Sequence, residues 1–114
     1  MSELEHAFQM QVMNYLDYYG RRELFWFAIP NGGKRHPATA VRLKQEGVKP
    51  GVADICIMLD QGRSAWLELK AKHGTLSDAQ VGFGAKAHRL GHRWTCVRSM
   101  AEAEAILSNW KVLR

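Results

Sequence analysis

The chain has 114 residues, 46% of them apolar and 10% aromatic, and sixteen Lys and Arg against eleven Asp and Glu give a formal charge of +5. That length fits one domain, typically about 100–150 residues, and the apolar content supports a packed core and argues against disorder. The apolar stretches are too short to span a bilayer, whereas the positive excess suits a polyanionic partner.

Cys56 and Cys96 lie in the apolar runs ADICIML and WTCV without pair spacing. They read as buried thiols of a reducing compartment, not as a disulfide framework or a metal knuckle. No secretory leader is recognisable at the start, so a cytoplasmic protein with no membrane association is expected. Repeats, low-complexity tracts and Ser/Pro linkers are absent, which predicts a single domain over 1–114.

Ser2-Glu3-Leu4-Glu5 has the form of a capping box, and Leu4, Phe8, Val12, Tyr15 and Tyr19 recur at helical spacing, predicting a first helix to about Gly20. Leu24–Ile29 reads as a short strand ended by Pro30 and the Asn31-Gly32-Gly33 turn. A second helix is expected over Pro37–Glu46, with Gly47 as its stop. Val52–Leu59 and Ser64–Ala71 read as two strands of a hairpin about Asp60-Gln61-Gly62-Arg63. Ser77-x-x-Gln80 caps a third helix that ends near Gly91, Arg93–Arg98 is a last strand, and Ser99-x-x-Glu102 caps a final helix through Trp110. The order α-β-α-β-β-α-β-α predicts an α/β fold, a mixed sheet flanked by helices.

The hairpin carries the chemistry. Folding about Gln61-Gly62 brings Asp54 opposite position 68 or 69, so Asp54 and Glu68 are expected to face each other across neighbouring strands. Cys56, Met58 and Trp66 fall on the same face by alternation. Like charges so placed are destabilising, so removing one acid is expected to spare or raise metal-free stability. The pair calls for a compensating cation, and Mg²⁺ is commonly held by one or two carboxylates with water and phosphate oxygens. Lys70, two residues beyond Glu68, projects from the same face. There it would orient the attacking water or steady charge on a phosphate, or simply pair with the acids.

Gly51-Val52-Ala53-Asp54 followed by Glu68-Leu69-Lys70 resembles the PD-(D/E)xK nuclease signature. More narrowly, the chain resembles a stand-alone virus-type replication-repair nuclease (VRR-NUC) domain of phage or bacterial type. The features are Glu5 and Gln9 on the first helix, Pro30-Asn31-Gly32, and Lys49-Pro50-Gly51-Val52-Ala53-Asp54. Trp66-Leu67-Glu68-Leu69-Lys70 and Gly74-x-Leu76-Ser77-x-x-Gln80 follow in the same order, and the likeness spans nearly the whole chain. Ala53 departs from the signature's proline, a position with no chemical role.

The resemblance implies a restriction-endonuclease-like fold and Mg²⁺- or Mn²⁺-dependent hydrolysis of DNA phosphodiesters. Asp54, Glu68 and the Leu69 carbonyl would hold metal, with Lys70 catalytic. It also implies a homodimer similar to Holliday junction resolvases, acting on branched DNA in a bacterial or phage-infected cell. Apolar residues of the final helix (Met100, Ala103, Ile106, Leu107, Trp110) form a core stripe, part of which such a dimer would use.

Several residues carry two readings. Glu5 matches the family's helix-one acid at the metal site, yet it also completes a capping box. Gln80 matches a glutamine near the active site and likewise completes a box. Gln9 reads as a helix-flank residue. Asn31, Lys34 and Arg35 in the glycine loop suit phosphate contact or a solvated turn, and Arg42, Lys44 and Lys49 extend a basic path toward Asp54. His88 and His92, separated by Gly91, read as surface residues. A flap- or end-directed nuclease of the same fold, and an inactive basic DNA-binding module, are the rival functions.

Overall fold

The computed structural model describes residues 1–30 and 35–114. Asn31 and Lys34, expected at the phosphate-binding loop, lie outside the described residues.

The first helix, α1 (Glu3–Tyr19), begins at the expected capping box. Ser2 Oγ accepts the Glu5 N–H at 3.1 Å, and Glu5 Oε1 accepts the Ser2 N–H at 3.3 Å. Its buried face is rotated from the expected one. Val12 and Leu16 are fully buried and Phe8, Met13 and Tyr15 pack beside them, while Leu4 and Tyr19 are 75% and 48% exposed. The inner stripe steps from Phe8 to Val12 to Leu16, and one turn further back it passes through Glu5. That rotation turns Glu5 toward the sheet.

Strand β1 (Phe25–Ala28) leads to helix α2 (Pro37–Gln45). Pro37 sits at the start of α2, His36 Nδ1 accepts the Ala38 N–H, and Arg42 and Lys44 complement the dipole in the last turn. Nothing in α2 is buried. β2 (Ile55–Met58) and β3 (Ser64–Leu69) form the expected hairpin, followed by α3 (Asp78–Arg89), β4 (Arg93–Val97) and α4 (Met100–Asn109). The four strands form one sheet in the order β1-β2-β3-β4, with the first two pairings antiparallel and β3-β4 parallel. A parallel step requires a crossover, and α3 supplies it.

Alternation along β3 divides the layers. Ala65, Leu67 and Leu69 point into the core with Val12 and Leu16 of α1 and Ala103 and Leu107 of α4. Trp66 points the other way and meets Phe83 of α3 edge-on, at a centroid distance of 5.2 Å. The close seat of α3 relies on Gly84, where a Cβ would fall 2.6 Å from the Trp94 indole.

α4 is wholly engaged: Ala103, Leu107 and Trp110 are buried and Met100 and Ile106 pack on the core. Its stripe is therefore unavailable to a partner. Exposed apolar side chains occur on several elements, and among them Phe25 and Met58 are paired neighbours on β1 and β2, 62% and 52% exposed. Among the described residues, no helix is long and apolar enough to cross a membrane.

Candidate active site

The turn between β2 and β3 is centred as expected. Gln61 and Gly62 both take positive φ (62° and 74°), the signs of a type I′ turn, and Arg63 N–H lies 3.4 Å from the Asp60 carbonyl. Leu59 N–H also donates to the Arg63 carbonyl at 2.9 Å, so Leu59 and Asp60 together oppose one residue. That extra residue is a bulge. It shifts the register by one, giving Cys56 opposite Trp66 and Ile55 opposite Leu67. Continued one step, Asp54 meets Glu68 and not Leu69.

Beyond Ile55 the ladder ends in side-chain chemistry. Asp54 N–H donates to the Leu67 carbonyl at 3.0 Å, and the Asp54 carboxylate, in place of a main-chain oxygen, accepts the Leu69 N–H at 2.8 Å. Asp54 and Glu68 are both buried, 6% and 2% exposed. Burial above all, then the hydrogen bond and charge of Asp54, push the Glu68 carboxyl well above the usual carboxylate range, and Lys70 opposes this. Burial and the neighbouring acid thus favour the protonated form of Glu68 in metal-free protein. The bond to Leu69 also changes one expectation: truncating Asp54 would strand a buried amide, so its removal is not neutral to stability.

The pair lies in an open cavity of about 530 Å³ whose walls include Glu5, Leu69, Lys70 and Gln80. Three distant segments meet here. Glu5 arrives from α1, where its Oε1 caps the helix while its Oε2 accepts the Ala71 N–H at 3.2 Å. Burial raises the Glu5 carboxyl, but the Ser2 and Ala71 amides and the Lys70 charge together hold it below its ordinary value. Gln80 arrives at the start of α3. Its Oε1 accepts the Ser77 N–H at 2.9 Å and its Nε2 lies 3.4 Å from Glu68 Oε2. Both side chains cap their helices and also line the cavity, so capping does not remove either from the site.

The basic residues divide. Arg35, Lys44 and Lys49 line the cavity, whereas Arg42 and Gln9 do not. His88 is exposed, but His92 is half-buried, its Nδ1 at 2.8 Å from Ser64 Oγ, which corrects its placement at the surface. Arg98, read only as the end of a strand, has a further task. Its guanidinium donates to the carbonyls of Ala71 and Gly74 and ties down the segment after Lys70. No local pattern in the sequence distinguishes it from any basic residue at a strand end.

Among the described residues, no three His, Cys, Asp or Glu side chains converge as a metal-holding group. Both Glu5 oxygens are engaged by backbone amides, which leaves Asp54 and Glu68 as the acids best placed to hold an ion. Among the described residues, Glu68 Oε1 is buried without a hydrogen-bond partner. A buried acceptor left unmet is unfavourable, and two carboxylates with one open oxygen fit a Mg²⁺-like ion that completes its shell with water and phosphate oxygens.

The four-stranded mixed sheet with helices on both faces is the fold of solved structures described as VRR_NUC domains. One solved structure described as a VRR_NUC domain protein superposes with a TM-score of 0.79 at 16% identity, over 96% of this chain and 89% of that one. Another, described as a VRR_NUC domain, gives 0.63 at 12% identity, over 93% and 96%. No protein-family model and no curated protein matches the sequence.

Proposed function

We propose that this protein is a Mg²⁺- or Mn²⁺-dependent DNA endonuclease acting on branched DNA, similar to a Holliday junction resolvase, and working in the cytoplasm as a homodimer. The observation that carries this is the buried Asp54–Glu68 pair with an unpartnered oxygen, in a cavity rimmed by Arg35, Lys44, Lys49 and Lys70. A module that only binds DNA gains nothing from buried acids placed against phosphate.

Asp54, Glu68 and the Leu69 carbonyl would hold the ion, which when bound supplies Lewis-acid stabilisation of charge on the phosphate and a more acidic water. Asp54 is oriented by the Leu69 amide and Glu68 by the Gln80 amide, so neither needs to reorganise on binding. Lys70 adds a positive charge beside the scissile phosphate and orients the attacking water. Glu5 offsets the charge of Lys70 and fixes the Ala71 amide, while Arg35, Lys44 and Lys49 hold the strand through its phosphates.

Two cuts on symmetry-related strands require two such sites, and a two-fold dimer provides them. The exposed Phe25–Met58 edge favours that assembly. The test is cleavage of matched four-way junction, flap, duplex and single-stranded DNA with Mg²⁺, Mn²⁺ or EDTA. Metal-dependent cutting with junction preference is expected. Preference for flaps or ends would replace the resolvase assignment, and binding without cutting would leave only a DNA-binding module.

A further inference from the structure

A second cavity of about 560 Å³ lies beside the first, between β3 and α3. The two share Lys49, Pro50 and Val52 as a common wall. That wall is held in place by Gly51, at φ 83°, where a Cβ would fall 2.3 Å from the Ala79 carbonyl oxygen of α3. The second cavity is walled mainly by apolar groups. Trp66 of the sheet and Phe83 of α3, in edge-on contact at 5.2 Å, form one adjoining aromatic wall, and Ala79 and Leu90 also line the cavity. Lys86 and His92 complete its lining.

The polar groups inside are ordered. Trp66 Nε1 donates to Ser64 Oγ at 2.9 Å, and Ser64 Oγ lies 2.8 Å from His92 Nδ1, which fixes both rings. Aromatic faces held rigidly beside hydrogen-bonding groups, with lysines at the rim, suit a flat heterocycle attached to a phosphate chain. An apolar peptide would leave Lys49 and Lys86 without counter-charges.

We propose that this cavity takes an unpaired nucleobase of the strand whose phosphate lies against Asp54 and Glu68. The proposal rests on the nuclease assignment for its phosphate end, and it gives that assignment a physical basis for choosing branched DNA. Within a continuous duplex every base is stacked and paired, and drawing one out is unfavourable. At a branch point the continuous stack is interrupted, so a base crosses the Lys49–Val52 wall at lower cost than within a duplex. α3 then serves both ends of the nucleotide, through Gln80 at the phosphate and Phe83 at the base.

Gly82 lines the cavity, and a Cβ there meets nothing within 4 Å. Gly82→Leu therefore fills the space while replacing a helical glycine by a good helix former. Affinities for a short oligothymidylate and for an abasic oligomer of equal charge are measured by fluorescence anisotropy in EDTA, with Trp fluorescence recorded. The wild type is expected to bind the base-bearing strand more tightly and to show quenching. Gly82→Leu and Phe83→Ala should each weaken that binding about fivefold or more, as loss of one stacked base does, and leave the abasic strand unaffected. Equal effects on both strands, or no preference for the base-bearing one, would overturn the proposal. Failure of the nuclease assignment looks different: base-dependent binding and quenching persist, but no strand is cut in Mg²⁺ or Mn²⁺. Cleavage that survives with no base-dependent effect of Gly82→Leu removes the base site alone.

Discussion

The Gln80 amide nitrogen lies 3.4 Å from Glu68 Oε2, while the oxygen of the same amide accepts the Ser77 N–H and closes the start of α3. One side chain thus joins helix capping to orientation of a buried acid. Gln80→Glu separates the two, because a carboxylate serves a capping box equally well but cannot donate to Glu68. The cap is expected to persist, the added carboxylate beside Glu68 should lower metal-free stability at neutral pH, and cleavage should fall at least tenfold. Gln80→Ala should lose activity and also about 0.5–1 kcal/mol of stability through the cap. Unchanged turnover in Gln80→Glu would leave Gln80 a capping residue only.

Glu68 makes stability depend on pH. Its folded-state carboxyl is raised, chiefly by burial and then by Asp54, so between the ordinary glutamate value and the raised one the native state binds the extra proton. Metal-free stability is therefore fully present at acidic pH and falls as pH rises through that window. Glu68→Gln removes this contribution. Melting in EDTA should show the variant gaining on wild type by several degrees between pH 5 and pH 8, given that about 1 kcal/mol moves such a domain by roughly 4 °C. Parallel pH profiles for the two proteins would contradict the raised Glu68 carboxyl.

Asp54 is both a charge and a buried acceptor, through Leu69 N–H. Asp54→Asn keeps an acceptor oxygen for the Leu69 N–H and buries no charge, so its melting temperature in EDTA should equal or exceed wild type. Asp54→Ala leaves the amide unmet and should lose about 1–3 kcal/mol. Neither variant should be stabilised by Mn²⁺, while wild type should gain stability as the ion binds the native state. Full cleavage by Asp54→Asn in Mg²⁺ would refute its role as a ligand.

Assembly and charge give the last test. With α4 engaged in the core, a dimer is expected to use the Phe25–Met58 edge, and Met58→Lys should halve the mass measured by light scattering without unfolding the chain. A wild-type mass of 13.0 kDa at micromolar concentration would refute the dimer. Lys49→Ala should weaken DNA binding and reduce its dependence on log salt by about one unit per lost phosphate contact. An unchanged slope would place Lys49 away from the strand.

The sequence alone determined the element order, because capping boxes, strand alternation and glycine stops act over a few residues and are set locally. Ser2, Ser77 and Ser99 each cap the helix expected of them. It also marked Asp54, Glu68 and Lys70, since a turn signal between two apolar runs brings such residues onto neighbouring strands. Only the tertiary structure decided the register. A single extra residue at Leu59–Asp60 selects Glu68 over Leu69 as the neighbour of Asp54, and hairpin parity reverses with every residue added. It likewise decided which face of α1 is buried, since the stripe through Val12 and Leu16 is chosen by its contacts with β3 and α4. The joining of Glu5 to Ala71 and of Gln80 to Glu68 followed from that packing. Such contacts link segments far apart in the chain, and no short-range pattern encodes where distant segments meet.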